Sequence, residues 1–383
     1  MKMSLTNLAM LAAGNWTDTM ITERSGNDII KPSLQLVAWE LTRRCNLFCA
    51  HCRVPTNDSG HSGELSTEEC IRLVDEILKV GNPIIILTGG EPIIRSDIVP
   101  IARYATSKGL KVVIGSNGTL INREIAITLR DVSVSRIAVS LDFPVAKLQD
   151  EFRGMKGAFE AAITGIANVR EAGIQVQINS TITKLNVALL DELISLAQEV
   201  GGVAFHPFML VPTGRGKGLA SLELSSDEYE QTLNWIYDKQ MELGDKLFFK
   251  PTDAPHYLRV VRQRQRQHTT VPDENELTTY SNRMNVISRG CLAGIGFCFI
   301  SCEGKVQGCG YLDVEAGDIG KEPFSHIWTD SLLFRSLRDL SNIKGKCGRC
   351  EYKRLCGGCR ARAYETTGDY LEAEPYCIYQ PNS

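Results

Sequence analysis

Between residues 35 and 211 the chain alternates two textures. Short apolar runs rich in Val and Ile recur at Leu36–Leu41, Ile84–Leu87, Lys111–Gly115, Arg136–Leu141, Ile174–Ser180 and Val203–Leu210. They are mostly apolar throughout rather than alternating with polar residues, the pattern of strands buried on both faces. Amphipathic segments separate them. Ser66–Val80 opens on the capping box Ser66-Thr67-Glu68-Glu69 and keeps Ile71, Val74, Ile77 and Leu78 on one face. Further helices are predicted at Asp97–Lys108, Arg123–Leu129, Phe159–Ala172 and Val187–Val200, several of them ended by glycine. Six such βα units predict an α/β fold, a parallel sheet with right-handed crossovers curled into a partial (β/α)6, TIM-like barrel. Functional residues then belong at the carboxyl ends of the strands.

The flanks differ. Residues 1–34 read as an N-terminal extension, in which the mildly apolar stretch from Leu5 to Gly14, broken by Asn7, predicts a short packing helix and not a signal peptide. Residues 212–290 form a bridging region. It starts with the glycine-rich basic loop Pro212-Thr213-Gly214-Arg215-Gly216-Lys217-Gly218, continues in a helix over Ser226–Leu243, and contains the alternating Arg262-Gln263-Arg264-Gln265-Arg266-Gln267-His268, read as a solvated helix face or loop. Residues 291–383 are cysteine-rich and are predicted to form a separate metal-bearing module.

Composition narrows the chemistry. With 383 residues and 43% hydrophobic content the chain can bury a large core. Its 42 basic and 45 acidic residues leave a net charge of −3, which argues against nucleic acid or a membrane surface as partner. No apolar run approaches the ~20 residues that span a bilayer. Thirteen cysteines without an export signal point to thiolate ligands in a reducing, cytoplasmic setting.

The cysteines cluster by spacing. Cys45, Cys49 and Cys52 form a C-x3-C-x2-C triplet directly after the first predicted strand. Three thiolates can wrap a four-iron cluster and leave one iron open to an external ligand, whereas structural zinc prefers four protein ligands in two pairs. Thr88-Gly89-Gly90-Glu91-Pro92 ends the second strand, where paired glycines allow close approach and Glu91 offers a carboxylate to an ammonium group. Ser116-Asn117-Gly118 ends the third strand and Ser140-Leu141-Asp142 the fourth, while Arg153 offers a guanidinium to a carboxylate. Each is weak alone; their common position at strand ends is the signal. In the tail, Cys347-x2-Cys350-x5-Cys356-x2-Cys359 also fits a zinc ribbon. Cys70, in a helix without a cysteine partner, reads as a small buried hydrophobe.

Taken together these motifs resemble the radical S-adenosylmethionine (SAM) family. The resemblance implies that Cys45, Cys49 and Cys52 hold a [4Fe–4S] cluster whose fourth iron is chelated by the amino and carboxylate groups of SAM. It implies reductive cleavage of SAM to methionine and a 5′-deoxyadenosyl radical, with the electron coming from a donor such as ferredoxin or flavodoxin. His51 is then placed by the adenine, Gly89, Gly90 and Glu91 by the SAM amino group, Arg153 by its carboxylate, and Asn117 and Ser140 by its ribose. Cys291, Gly304-x4-Cys309, Cys347-x2-Cys350-x5-Cys356 and Cys377 are similar to the SPASM extension of that family, which carries two auxiliary clusters; Cys359 departs from its spacing by one residue. The resemblance implies one auxiliary cluster on Cys291, Cys309, Cys359 and either Cys298 or Cys302, with Cys298 preferred. The other falls on Cys347, Cys350, Cys356 and Cys377, which makes three [4Fe–4S] clusters in all.

Leu36–Cys45, Val211–Gly216, Gly290–Gly294 and Phe297–Ser301 resemble the heme-synthase branch of the family, which serves the siroheme-dependent route to heme. That branch implies iron-coproporphyrin III as substrate and oxidative decarboxylation of two propionates to vinyl groups, with an electron acceptor left unidentified. Arg215, Lys217, His256 and Tyr257 are the expected rim of the substrate slot. Three other readings stay open: a related tetrapyrrole enzyme (a didecarboxysiroheme deacetylase or heme d1 maturase), a peptide-modifying SPASM maturase, and a non-catalytic iron–sulfur carrier.

Overall fold

A computed structural model describes residues 28–54, 63–267 and 289–381. The predicted helix over Leu5–Gly14 and His268 lie outside them. Six strands take the predicted places: β1 (Leu36–Glu40), β2 (Ile84–Thr88), β3 (Lys111–Ser116), β4 (Arg136–Ser140), β5 (Gln175–Ile182) and β6 (Ala204–Met209). They pair in parallel and in sequence order, with Val37 opposite Ile85 and Ile114 opposite Ile137. The crossovers carry α1 (Thr67–Leu78), α2 (Ile98–Ser107), α3 (Arg123–Asp131), α4 (Ala146–Arg153), α5 (Ala158–Glu171) and α6 (Leu190–Glu199). In α1 the capping box forms: Ser66 Oγ accepts from Glu69 N at 3.2 Å and Glu69 Oε2 accepts from Ser66 N at 2.8 Å. The helices and strands close on one apolar core through Trp39, Leu73, Ile77, Ile85, Ile101 and Ile114, all essentially without solvent contact.

Three differences matter. Helix α4 had no predicted counterpart, because its Lys147, Gln149, Asp150 and Glu151 hide the apolar stripe; only Gln149, Phe152 and Arg153 are buried. After α7 (Ser226–Leu243) comes a two-residue strand, β7 (Phe248–Phe249), parallel to β6, then α8 (Tyr257–Gln267), which takes in the Arg262–Gln267 alternation. Most consequential, the cysteine-rich tail is not set apart from the barrel. Its β8 (Phe297–Ile300) pairs in parallel with β1, placing Cys298 opposite Val37, and β9 (Lys305–Cys309) and β10 (Leu312–Asp318) extend the edge antiparallel. One ten-stranded sheet results, in the order β10-β9-β8-β1-β2-β3-β4-β5-β6-β7. A buried edge needs hydrogen-bond partners, and the tail supplies them to β1.

Candidate functional site

The loop bearing Cys45, Cys49 and Cys52 leaves β1 at its carboxyl end and is bound from three sides. The first is the end of β2. Gly90 N donates to Thr42 O and Glu91 N to Arg44 O, both at 2.7 Å. A Cβ on Gly89 would lie 2.5 Å from Thr42 O and one on Gly90 2.2 Å from Arg44 O. The glycines thus admit the chain's own backbone on the way into Cys45. Glu91 is completely buried and its carboxylate accepts from Ser116 Oγ (2.9 Å), Asn117 N (2.7 Å) and Ile93 N (3.1 Å). Burial pushes its carboxyl up to about 7 against those three donors.

The second side is the turn after β3. Asn117 Nδ2 donates to Asn46 Oδ1 at 2.9 Å and lies 4.0 Å from the Cys45 sulfur. Its Oδ1 accepts from Thr119 N and Oγ1, and Asn46 Nδ2 donates to Thr119 Oγ1 at 2.8 Å. Asn46 and Thr119 therefore belong to the site, although neither carries a motif signal.

Helix α4 forms the third side. Phe48 N and Ala50 N donate to Arg153 O and Phe152 O, and Gly154, at φ 69°, leaves room for Phe48 O where a Cβ would come within 2.6 Å. Arg153 is buried, points Nη1 at the Cys49 sulfur (3.7 Å) and pairs through Nη2 with the fully buried Asp142. Its guanidinium already holds a carboxylate of the protein, and only Nε lacks a hydrogen-bond partner among the described residues. Asp142 Oδ1 in turn accepts from Thr181 N at 2.7 Å, locking the pair to β5. Ser140 closes β4, half-buried, and its carbonyl accepts from Gln149 Nε2. The ring of His51 stacks on Phe152 at 4.7 Å and 12°; burial lowers its pKa to about 4, so it is neutral near pH 7.

The four residues expected at the substrate rim lie in different surroundings. Arg215 clasps the cysteine loop instead: its Nε donates to Cys49 O (3.1 Å), its N to Cys52 O (2.9 Å), and its guanidinium lies 4.0 Å over Phe48. Gly214 permits this contact, since a Cβ there would meet Arg53 O at 2.2 Å. Lys217 is exposed, 3.9 Å from Glu365. His256 and Tyr257 are not rim residues: both are buried, because α8 packs that end against α7 and sets His256 5.5 Å from the Tyr229 ring. Arg53 was not anticipated. It pairs with Glu40 at 2.8 Å, covers Phe299 at 4.3 Å and reaches towards Gly310 O on the β9–β10 turn.

The tail forms two groups of thiols. Charges on Cys347, Cys350, Cys356 and Cys377 act on one another, and Gly358 N and Glu374 N each approach a sulfur of this set, Cys356 and Cys347 respectively, at 3.4 Å. Cys309 and Cys359 share a small apolar cluster with Val211 and Leu312, and both feel Cys291. Cys298 is not with them. Ile300 faces Val306 and Phe299 faces Gln307 across the antiparallel pair, so Cys298 shares the face of Ile300 and Val306 while Cys309 shares that of Phe299 and Gln307. Cys298 is sealed in the main core beside Arg338. Cys302 sits near Glu40, Arg43 and Glu64 instead. Two residues unforeseen from sequence join the groups to the barrel. Glu374 accepts from Cys359 N (2.8 Å) and pairs with Arg362, whose guanidinium donates to Asp253 O, Met209 O and Leu210 O.

All thirteen cysteines are free thiols, and the N–H donors around the triplet (Leu47 N at 3.4 Å from Cys45, Arg153 at Cys49) are those that support metal-bound thiolates. Among the described residues no three His, Cys, Asp or Glu side chains converge on one ion-sized point. A four-iron cluster puts each thiolate on its own iron and needs no such convergence. The donor set fits clusters.

A parallel barrel with a cysteine loop at the end of its first strand, and a cysteine-bearing tail sharing its sheet, is the architecture of a radical SAM enzyme with a SPASM domain. The radical SAM superfamily model matches residues 39–199, and SPASM, an iron–sulfur cluster-binding domain, matches residues 291–360. SuiB of Streptococcus suis, in its crystal structure bound to S-adenosylmethionine, shares the fold with TM-score 0.70 and 17% identity over 91% of this chain and 78% of that one. An AdoMet-dependent heme synthase of Methanosarcina barkeri is 49% identical over 91% of this chain and 97% of its own length; the same organism's Fe-coproporphyrin III synthase is 34% identical over 91% and 88%. The chain belongs to the radical SAM enzymes, in the family of AdoMet-dependent heme synthases. SAM and iron–sulfur clusters are its cofactors, and no helix among the described residues is long and apolar enough to cross a membrane.

Proposed function

We propose that the chain converts iron-coproporphyrin III to heme by oxidatively decarboxylating two propionates to vinyl groups. The observation that carries this reading is likeness to the heme synthases through both the barrel and the tail. When bound, SAM and its cluster supply a 5′-deoxyadenosyl radical able to remove one hydrogen atom from each propionate side chain. Loss of carbon dioxide and one electron from that side chain then leaves a vinyl group, so each turnover needs an electron exit. The tail fits that need. Arg53, next to Cys52, reaches the β9–β10 turn that follows Cys309, so one side chain links the triplet loop to that part of the tail.

In this reading Cys45, Cys49 and Cys52 hold the first cluster, and the two tail groups hold two more. Arg153, whose Nε has no hydrogen-bond partner among the described residues, meets the SAM carboxylate through that donor while Asp142 holds its other side. Gly89, Gly90 and Glu91 flank the SAM amino group, Asn117 and Ser140 its ribose, and the His51–Phe152 stack gives its adenine an apolar wall. Arg53 and Lys217 would offer cations to the propionates.

The test is anaerobic turnover of the reconstituted protein with dithionite, SAM and iron-coproporphyrin III. A product lighter by two formic acid equivalents is expected. SAM cleavage without any change in porphyrin mass rejects the substrate.

A further inference from the structure

Cys291, Cys309 and Cys359 supply three thiolates, and the two cysteines expected to complete the set point elsewhere: Cys298 into the main core, Cys302 towards Glu40 and Arg43. We propose that the fourth protein ligand of that auxiliary cluster is the carboxylate of Asp253; this rests on the reading that those cysteines hold a cluster.

Asp253 sits just past β7, where the parallel pairing with β6 ends. Thr252 N donates to Pro207 O at 2.8 Å and Thr252 O accepts from Met209 N at 3.0 Å, so the ladder runs up to the residue before it. The carboxyl end of a barrel strand is where functional side chains gather. Asp253 itself turns into the left-handed region at φ 58°, and only one other residue among the described non-glycines, Ser133, shares a positive φ. Its carbonyl is pinned by Arg362 Nη1 at 2.9 Å. Such a conformation is unfavourable for a residue with a Cβ and persists where the surroundings over-determine it.

The side chain keeps a spare acceptor. Oδ2 is buried without a hydrogen-bond partner among the described residues. Its charge acts on the thiols of Cys309 and Cys359 and on the Tyr311 phenol. Lys250 and Arg362 partly offset that charge, whereas Glu374 adds to it. A buried carboxylate oxygen without a hydrogen-bond partner is unfavourable, and an iron held by the three thiolates and lacking a fourth would engage it directly, which Lys250 and Arg362 do not. Replacing a thiolate by a harder donor also raises a cluster's reduction potential, which suits a group that must accept an electron.

The test uses the full chain carrying Cys45→Ala, Cys49→Ala and Cys52→Ala, so that only the auxiliary groups report. Iron content, electron paramagnetic resonance before and after dithionite, and midpoint potentials are compared with and without Asp253→Ala or Asp253→Cys. The expected result for Asp253→Ala is loss of one iron and a three-iron signal, with the signal of the Cys347 group unchanged as a control for folding. Asp253→Cys should restore the fourth iron, with an altered spectrum and a more negative midpoint. Parent-like spectra and potential in Asp253→Cys overturn the ligand assignment, and this comparison decides the matter even if Asp253→Ala fails to fold. If the parent already shows only the Cys347-group cluster, the cluster reading of the other three cysteines falls, and the inference with it.

Discussion

His256 shows how far burial can remove a side chain from the task its chemistry suggests. It is wholly buried against Tyr229, and neither ring nitrogen has a hydrogen-bond partner among the described residues. Burial lowers its pKa to about 4, with Glu374 opposing the shift and Arg362 and Arg259 adding to it. In the unfolded chain the imidazole takes its proton near 6.5, so between pH 6.5 and 4 the unfolded state binds more protons. Stability fully present above pH 6.5 is therefore lost as pH falls, by about 2 kcal/mol between pH 7 and pH 5 from this residue alone. His256→Leu should remove that part of the slope while keeping the packing. Thermal unfolding of parent and variant at both pH values checks it, and parallel pH responses would count against it. Arg153 and Asp142 show the opposite use of burial, since the two side chains are paired with each other where water is excluded.

At the scale of elements, the site is a set of docked strand ends. The two glycines after β2 let that strand's backbone bond to the chain entering the cysteine loop, and a side chain at either position must push the two apart. Gly90→Ala is accordingly expected to displace Arg44 and Cys45, because its Cβ would start 2.2 Å from Arg44 O. Iron per chain after reconstitution should drop by about four, the content of one [4Fe–4S] cluster, with the visible absorption of the cluster weakened in proportion. Full iron loading of the variant contradicts that role. The same elements show what the sequence could and could not disclose. The six strands and the triplet were legible, because buried parallel strands are continuous apolar runs and cluster cysteines keep close spacing. Helix α4 was not, since its exposed charges outnumber its buried positions. Nor was the pairing of β8 with β1, a contact between residues more than 250 apart to which local periodicity is blind. The misplacement of Cys298 has the same origin: spacing gives its distance along the chain, but only the register with β9 tells which face it occupies.

Taken whole, the molecule joins two thiol-rich regions through one sheet and one buried ionic hub. Arg362 ties the end of β6 and Asp253 O to Glu374, while Glu374 accepts from Cys359 N and donates its own N to the Cys347 sulfur. Barrel and tail are thus mechanically continuous, yet the chemistry assigned to them is separable. The groups proposed to grip SAM lie on the loops after β1 to β4 and on α4, all within the barrel. The Cys347, Cys350, Cys356 and Cys377 group touches none of them in the hydrogen bonds and ion pairs that hold the triplet loop. Damage there should stop the loss of electrons from substrate without stopping SAM cleavage. Cys350→Ala, on a half-buried thiol, makes such a change. Formation of 5′-deoxyadenosine is expected to continue, while vinyl product falls roughly tenfold or more, a barrier increase of at least about 1.4 kcal/mol. Chromatography of both products from one anaerobic reaction measures the ratio. If both fall together, the tail acts on the barrel through structure; if neither falls, its second thiol group has no part in the electron's exit.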